Sequence, residues 1–458
     1  MDLEQKRRKQ SLKIIISEAV MVIAVIFMVV VLAFIVSGYW VNPDFQIERQ
    51  GLLQVSSIPT GADVQIDDAS SWLQKTNTSK VLASGNHTIK LSKEGYDTWS
   101  KNIDISEGLL YRLNYPRLFL KKREKEEVLT TVGTITASVS PNRETMVLTN
   151  NTNEWSLVNL KNDTITSQKL NLSNIFSEDL FTGEILDSNW DRDNAHILFK
   201  ISTGDSIEWV LVDVNNPANS LNLTKSFGYN FDRVKIISNS SNILLATQNG
   251  NLHKIDISSK SISTVLVENV VDFDYYHNKV IFSVSDNSSD NFKVGLLELS
   301  NNKITDFKDF AVSPRVIIGK FYEDQYFAVI IDDVISLYKV EDFSEFGSFE
   351  LSFSPAQIKV GHDSDFILAY DEDSFATIDM ESSSLKEWTA ENNDFGWLDN
   401  YMVYTVADGE LIVRDYDGLN RRVLADNVSS RLPVTITNDK WLYYFSDDVL
   451  VREWLIPR

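Results

Sequence analysis

A repeat that fills most of the chain after residue 130 constrains the fold more than any other feature. Each copy has a polar turn that leads into a compact apolar strand, and successive apolar strands begin about 42 residues apart. A second strand follows after a turn, as in Trp209-Val210-Leu211-Val212, and weaker strands precede and follow this pair. The apolar strands begin at Met146, Ile197, Ile243, Val280, Phe327, Phe366, Met402 and Trp441.

Four short strands in about 40–45 residues are typical of one blade of a β-propeller. A row of immunoglobulin-like sandwiches would need about 100 residues per repeat, so we exclude it. We predict an all-β fold in which residues 127–458 form a propeller of about eight four-stranded blades, with seven possible if one copy is an insertion. The last copy stops after its third strand. Because an open propeller exposes sheet edges, we expect residues 127–132 to supply the missing outer strand.

An apolar segment without charges lies near the N-terminus, at residues 19–39. About 20 such residues cover a hydrocarbon core of about 30 Å, so we predict one transmembrane helix at residues 19–40. The basic tail before it, residues 1–18, carries Lys6, Arg7, Arg8, Lys9 and Lys13. Since basic segments stay in the cytoplasm, we expect a single-pass protein of the cell membrane. Its N-terminus is cytoplasmic, its C-terminal bulk is extracytoplasmic, and residues 19–40 contact the lipid bilayer.

Two other interpretations fit this apolar segment less well. A cleaved signal peptide has an apolar region of only about 7–15 residues, followed by small residues at the cleavage site. A buried helix of a soluble domain usually has one polar face, which this segment lacks. Glu18 stands at the predicted cytoplasmic edge, where it is either solvated or in contact with a partner helix.

Residues 51–120, which follow a predicted linker at residues 41–50, alternate between apolar and polar side chains. Gly, Pro and Asn turns interrupt the alternation, which predicts a small antiparallel β-sandwich. The segment resembles the PEGA domain. Pro59-Thr60-Gly61-Ala62 stands in place of the Pro-Glu-Gly-Ala tetrapeptide, and Gly85-Asn86-His87-Thr88-Ile89 and Glu94-Gly95-Tyr96 match later parts of the pattern.

This resemblance implies a structural or adhesive β-sandwich of bacterial and archaeal surface proteins, with no catalytic residues to carry over. The sequence departs from the family pattern at Thr60, where the family has Glu. The usual Gly-Thr-Thr-Pro is also missing, and Trp72-Leu73-Gln74-Lys75-Thr76 lies there instead. His87 follows a turn, and we interpret it as a structural residue rather than a ligand. The charged run at residues 121–127 is predicted to be a solvated linker.

The composition limits the partners and the chemistry. The formal net charge is −22, which excludes nucleic acid as a partner, because phosphates need a basic surface. The chain contains no cysteine, so disulfides, thiolate catalysis and cysteine-ligated zinc or iron–sulfur sites are excluded. An exported protein without disulfides fits a bacterial surface.

The sequence contains no serine elbow, zinc-protease motif or phosphate-binding loop, so we predict no catalytic residue, cofactor or metal site. The five histidines are spread over different segments, and His196 and His253 are predicted to be packing residues on strands. Paired aspartates could bind Ca²⁺, but aspartate also favours β-turns, which is the interpretation we prefer. The pairs are Asp191 and Asp193, Asp363 and Asp365, Asp371 and Asp373, and Asp415 and Asp417.

Aromatic side chains offer another possible type of site. Tryptophans could stack on sugar rings if they were exposed, but their strand positions favour packing between blades. These are Trp155, Trp190, Trp209, Trp388, Trp397, Trp441 and Trp454. The Asn-x-Ser/Thr sequences at Asn86, Asn162, Asn171 and Asn222 are interpreted as a result of composition.

We therefore expect a non-catalytic scaffold of the bacterial cell envelope, whose propeller binds a protein or a glycan. The turns at residues 138–142 and 189–194 are similar to those of TolB-type propeller repeats. The alternative is an envelope enzyme that acts on carbohydrate or peptide through carboxylates in the central pocket. A signalling role ranks last, because only 18 residues precede the apolar segment.

Overall fold

Period-two alternation produces strands throughout the chain after the N-terminal helix. The computed structural model describes residues 2–36, 39–41, 47–67, 74–131, 133–150, 154–172, 175, 184–204, 206–237, 242–286, 291–321, 324–360, 366–380, 383–390, 394–430 and 432–457. The chain divides into two units, Met1–Arg123 with Ile456–Arg458, and Glu124–Leu455. The fold is nearly all-β, as predicted.

The N-terminal helix α1 runs over Asp2–Val36. Its segment Ile16–Ala33 has a mean hydropathy of 2.8 and is not buried against the rest of the protein. By length and composition this segment can cross a bilayer, although an N-terminal signal sequence has the same properties. Glu18 is exposed on it.

The first unit contains two small sheets. One has the order β1-β2-β4 with β7 also paired to β2, and the other has the order β3-β5-β6. Their strands are β1 (Tyr39–Val41), β2 (Ile47–Val55), β3 (Asp63–Ile66), β4 (Thr78–Ala83), β5 (Gly85–Ser92), β6 (Trp99–Ile105) and β7 (Leu110–Leu113). The inward positions of β2 and β6, including Leu53, Val55, Trp99 and Ile103, are buried. Burying one face of each strand stabilises this unit.

Two boundaries in this unit differ from the prediction. The helix ends at Val36, and Tyr39 and Trp40 belong to strand β1 instead of the end of the helix. The predicted linker is occupied in part by β2, which begins at Ile47. Both differences have one cause, because Tyr39–Val41 pairs with Ile47–Arg49 and aromatic and β-branched residues favour such pairing.

The second unit contains eight four-stranded sheets within its described residues, which confirms the predicted propeller of about eight blades. The strands up to blade four are β8 (Lys125–Thr130), β9 (Thr134–Val139), β10 (Thr145–Asn150), β11 (Trp155–Asn159), β12 (Thr166–Leu170), β13 (Glu184–Trp190), β14 (His196–Ser202), β15 (Ile207–Asp213), β16 (Leu221–Asn222), β17 (Arg233–Ile236), β18 (Ile243–Gln248), β19 (Asn251–Asp256), β20 (Ser261–Ile262), β21 (Val270–Tyr276), β22 (Lys279–Ser285), β23 (Phe292–Glu298) and β24 (Lys303–Phe310).

The remaining strands form blades five to eight. They are β25 (Arg315–Phe321), β26 (Asp324–Ile331), β27 (Val334–Lys339), β28 (Glu345–Glu350), β29 (Gln357–Val360), β30 (Phe366–Tyr370), β31 (Ser374–Asp379), β32 (Ser384–Thr389), β33 (Asp394–Trp397), β34 (Met402–Ala407), β35 (Glu410–Asp415), β36 (Arg422–Ala425), β37 (Thr435–Thr437), β38 (Trp441–Ser446) and β39 (Val449–Trp454). Blades one to seven each use four consecutive strands, starting from β9.

The eighth blade closes the ring with the first strand of the unit. Its order is β37-β38-β39-β8, and β8 pairs antiparallel with β39 from Val449 opposite Thr130 to Glu453 opposite Lys125. The predicted closing strand is confirmed, two residues earlier in the chain than expected; Val132 lies outside the described residues. Closure removes the open edge that the last blade would otherwise expose.

Neighbouring blades are held together by apolar faces. Met146 of blade one packs in one cluster with Trp441 and Tyr443 of blade eight. Aromatic contacts join other neighbours, such as Trp155 with Phe199, whose ring centroids lie 4.9 Å apart. The second and third strands of the blades contribute most of these buried residues, in agreement with the apolar runs in the sequence.

A short helix, α2 (Leu223–Phe227), and a 3₁₀ turn, Pro217–Asn219, were not predicted. The side chain of Asn222 caps α2 by accepting a hydrogen bond from the Lys225 backbone N–H, and Gly228 follows with φ 69°. An asparagine and a glycine that flank about five residues are the local signal for this helix.

Candidate functional site

The central channel of the propeller is lined by the first strand of each blade, and ion pairs connect these strands. Asp272 on β21 pairs with Arg233 on β17, and Asp274 pairs with Lys235 at an Nζ–Oδ1 distance of 2.5 Å. Alternate residues of a strand point to the same face, so the two charged residues of each strand lie on one side of it. These pairs join blades three and four.

The same two carboxylates also reach blade five. The Val316 backbone N–H donates to Asp272 Oδ2 at 2.8 Å, and the Ile318 N–H donates to Asp274 Oδ2 at 2.9 Å. The Phe273 N–H also donates to Asp272 Oδ1 at 3.0 Å. Each carboxylate is therefore matched by one cation and at least one backbone donor, which accounts for two partly buried charges. We call these four charged side chains the channel belt.

A second cluster, the basic rim, lies at the mouth of the channel where the first strands end. It consists of Arg192, Tyr276, His277 and Lys320. Arg192 is in the turn after β13, and its guanidinium carbon lies 4.7 Å from the centroid of the Tyr276 ring on β21. This contact joins blades two and four across blade three, and cation–π attraction stabilises it. The Tyr276 ring also meets His277 edge-on, with centroids 4.4 Å apart.

The basic rim brings the side chains of Arg192 and Lys320 close to His277. Burial lowers the pKa of His277, and the charges of Arg192 and Lys320 lower it further. The neutral form of His277 is therefore favoured at pH 7. The rim is a local concentration of basic side chains in a chain of net charge −22.

A third polar cluster sits in blade two. His196 Nδ1 lies 2.8 Å from Asp191 Oδ2, and Nε2 lies 3.8 Å from Asp213 Oδ2. The hydrogen bond to Asp191 raises the pKa of His196, against the effect of burial. Burial opposes ionisation of Asp191, but hydrogen bonds from His196 and Ala195 lower its pKa overall. His196 packs within the blade, as predicted.

This cluster should make the stability of the propeller depend on pH. The Asp191 contribution is present above its unfolded pKa and is lost as pH falls through the lowered folded value. The His196 contribution is present below its unfolded pKa, about 6.5, and is lost as pH rises through the raised folded value. We expect His196→Asn to cost about 1–2 kcal/mol near pH 5.5 and clearly less at pH 9.

Denaturant unfolding of both proteins at the two pH values checks this. His253 provides a matched control, because its Nδ1 contacts the backbone oxygen of Ser263 at 3.0 Å rather than a carboxylate. His253→Asn should show the same cost at both pH values. If His196→Asn cost the same free energy of unfolding at both pH values, the ion pair assigned to His196 and Asp191 would be contradicted.

The first unit has its own polar arrangement around His87. His87 Nδ1 lies 2.9 Å from Asp67 Oδ2, and Nε2 lies 2.9 Å from the Ala83 oxygen. Both ring nitrogens are thus used within the domain, in agreement with a structural role. Residues 50–117 match the PEGA domain family. The resemblance at residues 51–120 is thereby confirmed for this segment, and the Trp72–Leu73 part of its unusual insert lies outside the described residues.

The PEGA domain covers a small part of the chain, and other comparisons concern the propeller. No curated protein sequence matches the chain. Among solved structures, Hsv2p of Kluyveromyces lactis is 9% identical, with a TM-score of 0.43, covering 64% of this chain and 98% of its own. The Swd1 β-propeller domain of Myceliophteria thermophila is 8% identical, with a TM-score of 0.43, covering 73% of this chain and 100% of its own.

Several of the other predicted candidates have structural roles. Trp155, Trp209, Trp441 and Trp454 are buried, which confirms packing. Asp415 and Asp417 accept hydrogen bonds within one turn, from Asn420 at 2.8 Å and from the Leu419 N–H at 3.2 Å. Asn222 is buried and caps α2, so it is not an accessible acceptor for glycosylation. His362, Asp363 and Asp365 lie outside the described residues.

The sequence analysis missed the basic rim and the channel belt. The belt has a visible signal, since Arg233-Val234-Lys235 and Asp272-Phe273-Asp274 alternate in the strands that precede two apolar runs. The rim has none, because Arg192 lies in a polar turn and its contact with Tyr276 depends on the curvature of the ring.

Proposed function

We propose that this protein is a membrane-anchored scaffold of the bacterial cell envelope, and that its propeller binds an acidic protein or glycan at the basic rim. The observation that carries the proposal is the rim itself, where two cations and an aromatic ring from three blades meet at the channel mouth. Such a surface attracts carboxylates and phosphates and repels cationic groups.

The proposed topology follows from the N-terminal helix. Residues 1–18 carry the basic cluster and remain in the cytoplasm, and the exposed apolar segment after it crosses the bilayer. The PEGA domain and the propeller are then extracytoplasmic. The absence of cysteine is compatible with this location, because the closed ring is stabilised by strand pairing and apolar packing.

The enzyme alternative would require channel carboxylates available for chemistry. Asp272 and Asp274 are both engaged by a cation and a backbone N–H. Every described carboxyl group whose pKa is shifted is shifted downward, as for Asp67 and Asp191, whereas a general acid needs a raised pKa. These observations favour binding.

Capture from crosslinked cells tests the proposal. We expect the full-length protein to retain one or more partners reproducibly, and Arg192→Ser with Lys320→Ser to reduce their recovery about tenfold at moderate salt. The matched control is Lys161→Ser with Lys169→Ser, which removes two exposed cations of blade one. The control should leave recovery unchanged. Equal recovery with the rim variant, or no reproducible partner, would count against the proposal.

A further inference from the structure

The outer face of the first sheet of the PEGA domain carries an exposed apolar stripe. Leu52 of β2 lies opposite Val81 of β4 and Leu110 of β7, so the three side chains form one row across the sheet. Their exposed fractions are 38% for Leu52, 52% for Val81 and 40% for Leu110, and the adjacent Leu109 is 63% exposed. We call the three residues of this row the apolar stripe; Leu109 directly precedes Leu110 in the chain.

The other sheet of the same domain provides a comparison. Its outward positions on β5 and β6 are polar, with Thr88 opposite Asn102 and Lys90 opposite Ser100. Those side chains suit contact with water, which is the usual state of the outer face of an antiparallel sheet. The apolar stripe is thus a property of one face and not of the whole domain, and such patches mark contact surfaces.

The position of the stripe indicates what covers it. Only residues 37 and 38 separate the end of α1 from Tyr39, so the sheet begins within about 11 Å of the helix end. Tyr39 pairs with Arg49 of β2. Backbone hydrogen bonds connect the next residues of β2 to the segment before β7. The Gly108 N–H donates to the Gln50 carbonyl oxygen at 3.0 Å, and the Leu52 N–H donates to the Leu109 carbonyl oxygen at 2.9 Å. Leu52 therefore lies about 10 Å along β2 from Arg49, the residue that pairs with Tyr39 just after the helix.

We propose that the apolar stripe docks on the surface of the lipid bilayer, in the leaflet from which α1 emerges. This inference rests on the membrane anchoring proposed above, and it adds a second lipid contact. The chain is too short between Val36 and Tyr39 to hold the sheet far from the bilayer. When the sheet docks, its leucine and valine side chains leave water and enter the boundary between lipid headgroups and acyl chains. Amphipathic surfaces bind membranes at this boundary. The docked sheet would fix the orientation of the PEGA domain.

The absence of cysteine makes a direct test possible in the full-length protein. Single cysteines are introduced as Leu109→Cys next to the stripe, Asn102→Cys on the polar face and Ile26→Cys in α1. Each is labelled with an environment-sensitive fluorophore and reconstituted into phosphatidylcholine–phosphatidylglycerol vesicles, with or without brominated acyl chains. We expect at least about twofold quenching at positions 26 and 109, and little at position 102.

The outcomes separate the two proposals. Quenching at position 26 without quenching at position 109 would overturn the docking and leave the anchor intact. No quenching at position 26 would overturn the anchor and the docking together. Blue-shifted emission at position 109 without quenching by brominated chains would show that protein, such as a second copy, covers the stripe, which also overturns the inference.

A second variant tests the stripe without a label at Leu109. Ser79→Cys places the fluorophore on the adjacent outward row of β4, opposite Gln54. We expect quenching there to fall about twofold when Val81→Ser and Leu110→Ser are added. Since both substituted side chains are exposed, the domain should fold, and circular dichroism checks this. Unchanged quenching in the folded variant contradicts the inference.

Discussion

Ending the chain at Pro433 should abolish the cooperative unfolding of the propeller. The truncation removes β37, β38 and β39, which leaves β8 without a partner. It also removes Trp441, Tyr443, Phe445, Leu450 and Trp454 from the cluster that covers blade one. Five buried side chains of this size contribute roughly 7–15 kcal/mol, which equals the stability of a typical domain, about 5–15 kcal/mol.

Thermal unfolding monitored by tryptophan fluorescence, together with limited proteolysis, measures this effect. We expect the truncated protein to show no sharp transition and to be digested under conditions that leave the full-length protein intact. Its control ends at Ile456 and keeps all eight blades, so it should unfold like the full-length protein. A protease-resistant truncate with an unchanged midpoint would show that closure does not stabilise the ring.

Replacing Arg452 by alanine should lower the free energy of unfolding by about 1.5–3 kcal/mol, because it removes the charge-assisted hydrogen bonds and the packing of a buried guanidinium. The Arg452 side chain is only 4% exposed, and its Nη2 lies 2.9 Å from Glu126 Oε2 on the closing strand. Its Nη1 donates to the Asp163 oxygen of blade one at 2.8 Å. The guanidinium also lies over the Trp454 ring, 4.7 Å from its centroid. One side chain thus joins the last blade, the first blade and the closing strand.

The matched control for Arg452→Ala is Lys169→Ala. Lys169 pairs with Glu154 at 2.6 Å, but both side chains are exposed on blade one. Exposed pairs of this kind contribute little to stability, so the control should change the free energy of unfolding very little. Denaturant titrations of the three proteins compare the two costs directly. Similar costs for Arg452→Ala and Lys169→Ala would contradict the role assigned to the buried network.

The sequence predicts the propeller well because each blade contains its own local signal. A turn followed by Met402-Val403-Tyr404, and another followed by Leu411-Ile412-Val413, places two buried strands without knowledge of the rest of the chain. Closure follows from counting strands in the last copy. The exact bounds of the closing strand β8 cannot be predicted in this way. Lys125 and Glu126 belong to β8 because they pair with Glu453 and Arg452 of the last strand.

The candidate site is less predictable because its contacts join residues that are distant in sequence. Arg192 meets Tyr276 only when three blades are arranged in a ring. The prediction for the start of the first unit is wrong for a related reason. Strand β1 is stabilised by pairing with Ile47–Arg49 and not by its own sequence neighbours. Local patterns identify strands, whereas the partners of a strand or of a charged side chain depend on the assembled fold.

The route by which the ring closes has a consequence for how the protein is made. A ribosome synthesises β8 early and its partner β39 last, and the paired residues Glu126 and Arg452 are 326 positions apart. During translation β8 therefore has an unoccupied edge for nearly the whole period in which the other blades form. Long-range pairing of this kind is slow to form. Completion of the ring must therefore wait until β39 has been synthesised and has left the ribosome.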